Sequence, residues 1–232
     1  MIDATAPRVL PPRLASLHCL WAKLGRSDSP SAYHPLICHL IDVGVAAEAV
    51  WRDAVSPWTK KRITTALGLP DDEATGCWLA FITATHDVGK ACPPFQFRKA
   101  TPACLRTHIE ACGLFNPANP LPDSTLVSHG AVSQHMLQSD LVKAYNLPEK
   151  VAGAIAMAVG GHHGRFHGIG VVDGFDDKTL GDYPWTDARR TLREALAVLF
   201  DPPVLTPPRT VDNAAAMWLD GFVSVDDWIG SN

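Results

Sequence analysis

Apolar residues recur at helical spacing along most of the chain. The clearest run follows His34-Pro35 and predicts a helix over about 35–52, with Pro35 suited to a first helical position. No alternating pattern long enough for a β-strand occurs. The sequence therefore predicts an all-α fold. Further helices are predicted over about 73–87, 125–146, 148–160, 187–200 and 211–229.

Three segments lack such a period. Residues 1–33 mix proline and serine with one apolar patch, and we expect an irregular lead-in that contains one helical turn. Residues 91–123 hold six prolines and predict a long loop with at most short helices, and the Gly- and Asp-rich residues 161–186 predict another loop. Because long irregular segments in a compact domain are usually functional, we expect these loops to surround an active-site pocket.

Composition predicts one globular domain over residues 1–232. Of the 232 residues, 47% are hydrophobic, which is enough for a sizeable core. The chain has no apolar run of about eighteen residues and no secretory signal at its start, so we expect a cytoplasmic protein that does not contact a membrane. The six cysteines form no Cys-x-x-Cys pair, which predicts small buried thiols and argues against a zinc knuckle or a disulfide framework.

The charge balance gives little information about a partner. The formal net charge of −4 is mildly unfavourable for binding nucleic acid. Basic residues form only small clusters such as Lys60-Lys61-Arg62 and Arg98-Lys99, and a solvated helix face explains each of them. Two bound divalent cations would add about four positive charges and reverse the local field, so net charge does not decide the question.

Candidate chemistry first appears where the second predicted helix ends, at His86-Asp87. An adjacent imidazole and carboxylate at a helix end can face one pocket, and this mixed nitrogen and oxygen set suits borderline divalent metals. A His-Asp pair by itself is common and weak. The doublet His162-His163, flanked by Gly160-Gly161 and Gly164, adds support because glycine lets the backbone approach a site closely. An exposed polar loop explains the doublet equally well.

A wider set of short motifs resembles the HD superfamily, specifically the nuclease domain of the CRISPR-associated nuclease-helicase of type I systems. His-Asp-x-Gly-Lys marks only the superfamily, whereas Tyr33-His34-Pro35-Leu36, the tandem histidines and the closing Asp-Trp-Ile-Gly-Ser indicate the nuclease branch. The resemblance spans nearly the whole chain and implies an HD-domain helical bundle. The motifs are, in order, His39-Leu40-Ile41-Asp42, His86-Asp87-Val88-Gly89-Lys90, Ser128-His129-Gly130, Gly161-His162-His163-Gly164 and Asp226-Asp227-Trp228-Ile229-Gly230-Ser231.

The resemblance also implies two sets of metal ligands that share one carboxylate, that of Asp87. In the closing motif it selects Asp227, because that aspartate directly precedes Trp228. Asp226 is then expected at the surface, and Asp220 is a minor alternative ligand. One implied set is His39, His86, Asp87 and Asp227, and the other is Asp87, His129, His162 and His163.

The implied activity is metal-dependent hydrolysis of single-stranded DNA in antiviral defence, with a metal-bridged hydroxide as attacker. Imidazole ligands favour two ions of manganese, iron, cobalt or nickel over magnesium. Asp87 bridges the two ions, and Lys90 is expected to contact the phosphate, with a helix-end charge as its alternative role. The implied partners are a helicase module, in cis or in trans, and an RNA-guided surveillance complex.

Other conspicuous residues have simpler explanations. Most tryptophans, Trp228 among them, stand among apolar neighbours at helical spacing and are expected in the core. Phe95 and Phe97 follow Lys90 and are interpreted either as contacts to an unstacked base or as hydrophobic anchors of a loop. Four histidines outside the motifs are expected to be surface or hydrogen-bonded residues, namely His18, His108, His135 and His167. His34 lies about a turn and a half from His39, and it is expected to help form the helix start.

Two other functions remain open from the sequence. An HD phosphohydrolase that acts on nucleotides or cyclic dinucleotides would use the same metals. A regulatory or scaffold module that kept the fold without metals is a third possibility, although candidate ligands stand at every motif position. Metal content and substrate preference separate the three.

Overall fold

The computed structural model describes residues 10–25, 32–116, 127–172, 174–203 and 210–231. Within these residues the chain is predominantly helical, which confirms the all-α class. None of the described helices is both long and apolar enough to cross a bilayer. The longer helices are α1 (Leu36–Asp53), α2 (Pro57–Leu67), α3 (Asp72–Ala84), α5 (Ala103–Ala111), α6 (His129–Lys143), α7 (Glu149–Gly160), α10 (Tyr183–Phe200) and α11 (Asn213–Gly230).

Shorter elements occupy the segments that lack a clear period. Within the predicted lead-in, the described residues form a 3-10 helix (Pro12–Cys19) and strand β1 (Trp21–Leu24), which pairs antiparallel with β2 (Tyr33–Pro35). Residues 1–9 and 26–31 lie outside the described residues. The sequence pattern does not indicate these two strands, because strands of three or four residues are too short to show alternation. The remaining short helices are α4 (Pro93–Gln96), α8 (Ile169–Val172) and α9 (Asp177–Leu180), with a 3-10 turn at Val88–Lys90. Residues 117–126 of the predicted loop lie outside the described residues.

Helix α2 was not predicted, although its end signals are present in the sequence. Ser56 accepts a hydrogen bond from the amide of Thr59 at 3.2 Å, Pro57 opens the helix, and Gly68 ends it with φ of +67°. Only Ile63 and Leu67 of this helix are buried. The apolar period is therefore too weak to reveal the helix.

Helix α3 lies between two hydrophobic clusters and so forms the centre of the fold. Its Phe81 and Ala84 pack with the 3-10 helix, α1 and α10, while its Trp78 and Ile82 pack with α6, α7 and α11. Because the chain leaves α3 between these clusters, the turn that follows Ala84 is buried on all sides. This turn carries His86-Asp87.

Helices α6 and α7 approach closely because glycine stands at their contact. A Cβ atom on Gly160 would lie 2.6 Å from the carbonyl oxygen of Gly130, and a Cβ atom on Gly130 would lie 2.5 Å from the carbonyl oxygen of Gly160. Both distances are shorter than real Cβ contacts, so any side chain here would push the helices apart. The close approach brings the start of α6, at His129, next to the end of α7, before His162.

Candidate metal centre

Seven of the sequence-predicted residues form two groups of potential ligand atoms that share Asp87. Within each group the nitrogen and oxygen atoms lie within 4.8 Å of one another. The groups coincide with the two ligand sets that the motifs implied. They are His39, His86, Asp87 and Asp227, and Asp87, His129, His162 and His163.

Each of these side chains lies close to the end of an element. His39 is in the first turn of α1 and His129 is the first residue of α6, whereas Asp227 is in the last turn of α11. His86 and Asp87 follow α3 in a tight turn, and His162 and His163 follow α7 in another. Side chains at helix ends can point away from the packed helix faces. Five segments that are distant in the sequence therefore bring their side chains together here without disrupting the core.

Two histidines are oriented by the same local hydrogen bond. The Nδ1 of His86 donates to the carbonyl oxygen of Thr83 at 2.9 Å, and the Nδ1 of His162 donates to that of Val159 at 2.8 Å. The bonds fix the tautomer and turn each Nε2 towards Asp87, at 3.3 Å and 3.6 Å from its carboxylate. Both Nε2 atoms are buried and lack a hydrogen-bond partner.

The carboxylate of Asp87 divides its two oxygens between the groups. Its Oδ2 lies 2.9 Å from the Nε2 of His39 and also contacts the ammonium of Lys90. Its Oδ1 lies 3.2 Å from the Nε2 of His129, on the other side. Asp87 is therefore placed between the two groups, as a bridging carboxylate must be.

Asp227 completes the first group and the histidine pair His129 and His163 completes the second. The Oδ1 of Asp227 lies 3.5 Å from the Nε2 of His39 and 3.4 Å from that of His86, and it accepts a hydrogen bond from Ser231 at 2.9 Å. The Nε2 atoms of His129 and His163 are 3.0 Å apart. His163 is exposed, so the second group forms the solvent-facing side of the site.

Burial and opposite charge shift the pKa values within the first group. Burial disfavours a charged His86, but the carboxylates of Asp87 and Asp227 outweigh burial and raise the pKa of His86 to about 9. Burial also opposes the charge of Asp87, yet Lys90, His86 and His129 hold its pKa well below the ordinary value. Burial likewise opposes the charge of Asp227, but the nearby His86, 3.4 Å away, outweighs burial and lowers the pKa of Asp227.

Burial keeps two histidines of the second group neutral. Burial lowers the pKa of His129 to about 3, against the attraction of Asp87. Burial also lowers the pKa of His163 and, in the first group, that of His39. Metals bind the neutral form of imidazole, so these side chains are prepared for coordination.

The donor set fits a pair of divalent cations. Four polar atoms of these seven side chains are buried without a hydrogen-bond partner, namely His39 Nδ1, His86 Nε2, Asp87 Oδ1 and His162 Nε2. The last three lie where the two groups meet, with both Nε2 atoms within 3.6 Å of the Asp87 carboxylate. Such atoms are costly to bury unless something else satisfies them. Five imidazoles with two carboxylates form the ligand set that borderline transition metals prefer.

Lys90 and Phe95 line the site beside Asp87. Lys90 is almost fully buried, contacts the Asp87 carboxylate and has its Nζ 5.6 Å from the centroid of the Phe95 ring. Phe95 packs edge-on against His129, with ring centroids 5.6 Å apart, and Phe97 is also buried. Of the two interpretations of these phenylalanines, the hydrophobic anchor matches their burial.

The structure corrects two expectations in the closing motif. Asp226 was expected at the surface, but it is fully buried, neither carboxylate oxygen has a hydrogen-bond partner, and burial raises its pKa to about 8. Trp228 was expected in the core, but it is 79% exposed. Helix α11 packs on both α1 and α7, so its buried stripe passes through Asp226 and turns Trp228 outwards.

The other candidates lie outside both groups. Asp220, the alternative ligand, lies against Gly161 and joins neither group. His34 pairs with Asp42 at 3.1 Å, and His167 is buried, with its carbonyl oxygen accepting from Gln134 at 3.3 Å. His18 and His108 are exposed and His135 is half-buried.

Comparison with known proteins gives the family. The family model described as Cas3, HD domain, matches residues 21–232. The chain belongs to this family. The resemblance to the nuclease domain of CRISPR-associated nuclease-helicases is thereby confirmed.

The curated relatives are much longer than the part that matches this chain. The CRISPR-associated endonuclease/helicase Cas3 of Thermus thermophilus is 31% identical over 224 residues, which cover 92% of this chain and 22% of that protein. The chain thus spans about a quarter of the length of the curated relatives it matches.

Solved structures share the same helical arrangement. A CRISPR-associated protein is 32% identical with a TM-score of 0.81, covering 97% of this chain and 24% of its own. The Cas3 HD domain of Thermus thermophilus, solved in the presence of Ni²⁺, is 27% identical with a TM-score of 0.66, covering 95% of this chain and 78% of its own. A chain in a CRISPR RNA-guided surveillance complex, described as pre-nicking, is 27% identical with a TM-score of 0.72. The match covers 92% of this chain and 24% of that chain.

Proposed function

We propose that this chain is a nuclease domain of CRISPR antiviral defence that hydrolyses single-stranded DNA with two divalent transition metal ions. The observation that carries the proposal is the position of Asp87, whose two oxygens face two separate groups of histidines. We take residues 1–232 as one HD nuclease domain. Family membership and the names of the relatives support a metal-dependent nuclease.

We assign the ligands from the two groups. His39, His86 and Asp227 would hold one ion and His129, His162 and His163 the other, with Asp87 bridging them. When bound, a pair of divalent cations lowers the pKa of water and stabilises charge that develops on phosphate oxygens. The predominance of imidazole favours manganese, iron, cobalt or nickel over magnesium. A related domain studied with Ni²⁺ is in keeping with this preference.

The remaining side chains would act on the substrate. His163 is exposed and His129 partly exposed, so the scissile phosphate would approach from this side. Lys90 now neutralises Asp87, and bound cations would release its ammonium to contact a phosphate oxygen. The buried ring of Phe95, which packs against His129, excludes bulk water next to the site.

We also propose that protein partners deliver the single-stranded DNA to this site. The relatives named above carry a helicase, and one similar chain belongs to an RNA-guided surveillance complex. Helix α11 exposes a run of apolar side chains, which is typical of a surface that contacts another protein. They are Met217, Val225, Trp228 and Ile229. A helicase module, in cis or in trans, and such a complex are the proposed partners.

The test uses circular single-stranded DNA, which only strand cleavage linearises. The purified chain is stripped of metal, reloaded with manganese or nickel, and compared with Asp87→Ala. Cutting by the wild type, its loss with chelator and its loss in Asp87→Ala are expected. Asp53→Ala is the control, because Asp53 is exposed at the far end of α1 and pairs with Arg52.

Other outcomes would contradict the proposal. Release of phosphate from mononucleotides without strand cutting would support the nucleotide phosphohydrolase instead. Metal analysis that finds no ion bound after reloading would support a metal-free module. Equal cutting by wild type and Asp87→Ala would remove Asp87 from the bridging role.

A further inference from the structure

Arg98 is held against two aromatic rings beside the proposed metal centre. Its Cζ lies 4.4 Å from the centroid of the Trp21 ring and 4.7 Å from that of Phe95. The two rings pack on each other with centroids 4.5 Å apart. The sequence suggested that Arg98-Lys99 is part of a solvated helix face, but Arg98 follows the short helix α4 and its guanidinium is fixed by stacking.

The guanidinium has no acidic partner in the described part of the chain. No carboxylate pairs with it, and its Nε is buried without a hydrogen-bond partner. Burial alone lowers its pKa from the ordinary value, with no nearby charge of either sign contributing. By contrast, Arg193 pairs with Asp140 at 3.0 Å, and the buried Arg189 donates to the carbonyl oxygens of Ala91 and Leu180.

A cation that is held in place and has no acidic partner within the described residues is suited to binding an anionic ligand. The Arg98 side chain as a whole is only partly buried, so an anion can approach its guanidinium from solvent. The rings hold the guanidinium in place, which reduces the entropy lost when an anion binds. Planar guanidinium groups bind phosphate oxygens through two parallel hydrogen bonds.

The location of Arg98 relates it to the metal centre. Phe95, whose ring stacks against the Arg98 guanidinium, also packs edge-on against His129, with ring centroids 5.6 Å apart. The Cζ of Arg98 is therefore at most about 10 Å from the His129 ring. His129 and His163 lie on the solvent-facing side of the site, and a strand that leaves this side past Phe95 meets Arg98.

We propose that Arg98 binds a backbone phosphate next to the scissile phosphate of a single-stranded nucleic acid. This inference rests on the proposed function and adds a second anchoring point for its substrate. A mononucleotide has no second backbone phosphate and would not use this site. Arg98 thus favours strands over mononucleotides as substrates.

A purely structural role would make Arg98 a cover for Trp21 and Phe95. Arg98→Met separates the two roles, because methionine keeps an unbranched apolar side chain over the rings and removes the charge. The matched control is Arg62→Met. Arg62 also stacks on a tryptophan, with its Cζ 5.8 Å from the Trp58 ring, but it lies on α2, which packs near the start of α3 and away from the site.

The experiment measures binding of a fluorescent oligothymidylate to the chelated chain by anisotropy over a range of salt concentrations. Arg98→Met is expected to weaken binding about tenfold and to reduce the slope of log K against log salt by about 0.7, the value of one phosphate contact. Arg62→Met is expected to match the wild type. Thermal unfolding of each variant is measured in parallel, and Arg98→Gln replaces Arg98→Met if the latter is not folded.

The outcomes separate this inference from the proposed function. Wild-type binding with unchanged affinity and slope in a folded Arg98 variant overturns the role of Arg98 and leaves the nuclease proposal intact. A wild type that neither binds nor cuts a strand overturns both. A lower melting temperature with an unchanged slope shows that Arg98 only covers the rings.

Discussion

The backbone amide of Gly89 donates a hydrogen bond of 2.9 Å to the hydroxyl oxygen of Ser133. This bond ties the turn that carries His86-Asp87 to helix α6, whose first residue is His129. The approach is close enough to exclude a side chain at position 89, since a Cβ there would lie 2.2 Å from the carbonyl oxygen of His129. The two metal groups therefore depend on this contact for their spacing.

Gly89→Ala is accordingly expected to destabilise the fold and disturb both groups. The added methyl must displace backbone atoms of α6, which costs about 2 kcal/mol or more. Denaturant unfolding and metal titration measure the two effects. Gly221→Ala is the control, because the Cβ at position 221 of α11 meets open space, and alanine should stabilise that helix by up to about 1 kcal/mol. Equal behaviour of the two variants would contradict the account of Gly89.

Metal binding is expected to release a proton and to weaken as the pH falls. In the metal-free chain the pKa of His86 is raised to about 9, so at pH 7 its imidazole is protonated. Coordination requires the neutral form, so about one proton leaves this site, and affinity rises with pH until about pH 9. Calorimetric titration in two buffers of different ionisation enthalpy measures the proton. Binding heats that are the same in both buffers would contradict this prediction.

Lys90→Met is expected to slow DNA cleavage about a hundredfold without weakening metal binding. The ammonium now contacts Asp87 and competes with cations for its oxygen, so its removal favours metal retention. Its loss would also remove a cationic contact to the phosphate. Single-turnover cleavage at saturating metal, together with metal titration, separates the two effects. Lys61→Met on α2 is the control, and an unchanged rate for Lys90→Met would restrict Lys90 to a helix-end charge.

Asp226→Asn is expected to stabilise the chelated protein increasingly as the pH rises. The folded-state pKa of about 8 exceeds the ordinary value of 3.8, so the native carboxyl keeps a proton that the unfolded chain releases between these values. The wild type therefore has its full stability from this group below about pH 4, and it loses that stability as the pH rises through 8. The gain from asparagine should therefore grow between pH 5 and pH 8, by up to about 4 kcal/mol.

Urea unfolding with chelator at both pH values measures this gain. Asp53→Asn provides the comparison, because Asp53 is fully exposed and Arg52 lowers its pKa. That variant must not gain stability as the pH rises. A constant difference between Asp226→Asn and wild type would show that Asp226 does not keep its proton in the folded chain.

The helical pattern and the candidate ligands were accessible from the sequence for a physical reason. A helix that buries one face repeats its apolar residues at a fixed period, so α1, α7 and α11 were predicted to within a few residues. The His and Asp motifs were visible because a ligand set needs particular residue types at helix ends. The resemblance then grouped His39 with Asp227, which no local pattern could do.

What the sequence determined by itself is therefore the helical class, most helix positions and the seven candidate ligands. Only the tertiary structure decided the burial of Asp226, the exposure of Trp228 and the stacking of Arg98 on Trp21 and Phe95. These features depend on which faces of distant segments meet. Neighbouring residues on a helix differ by about 100° in direction, so the packing of α11 on α1 and α7 decides which of them is buried.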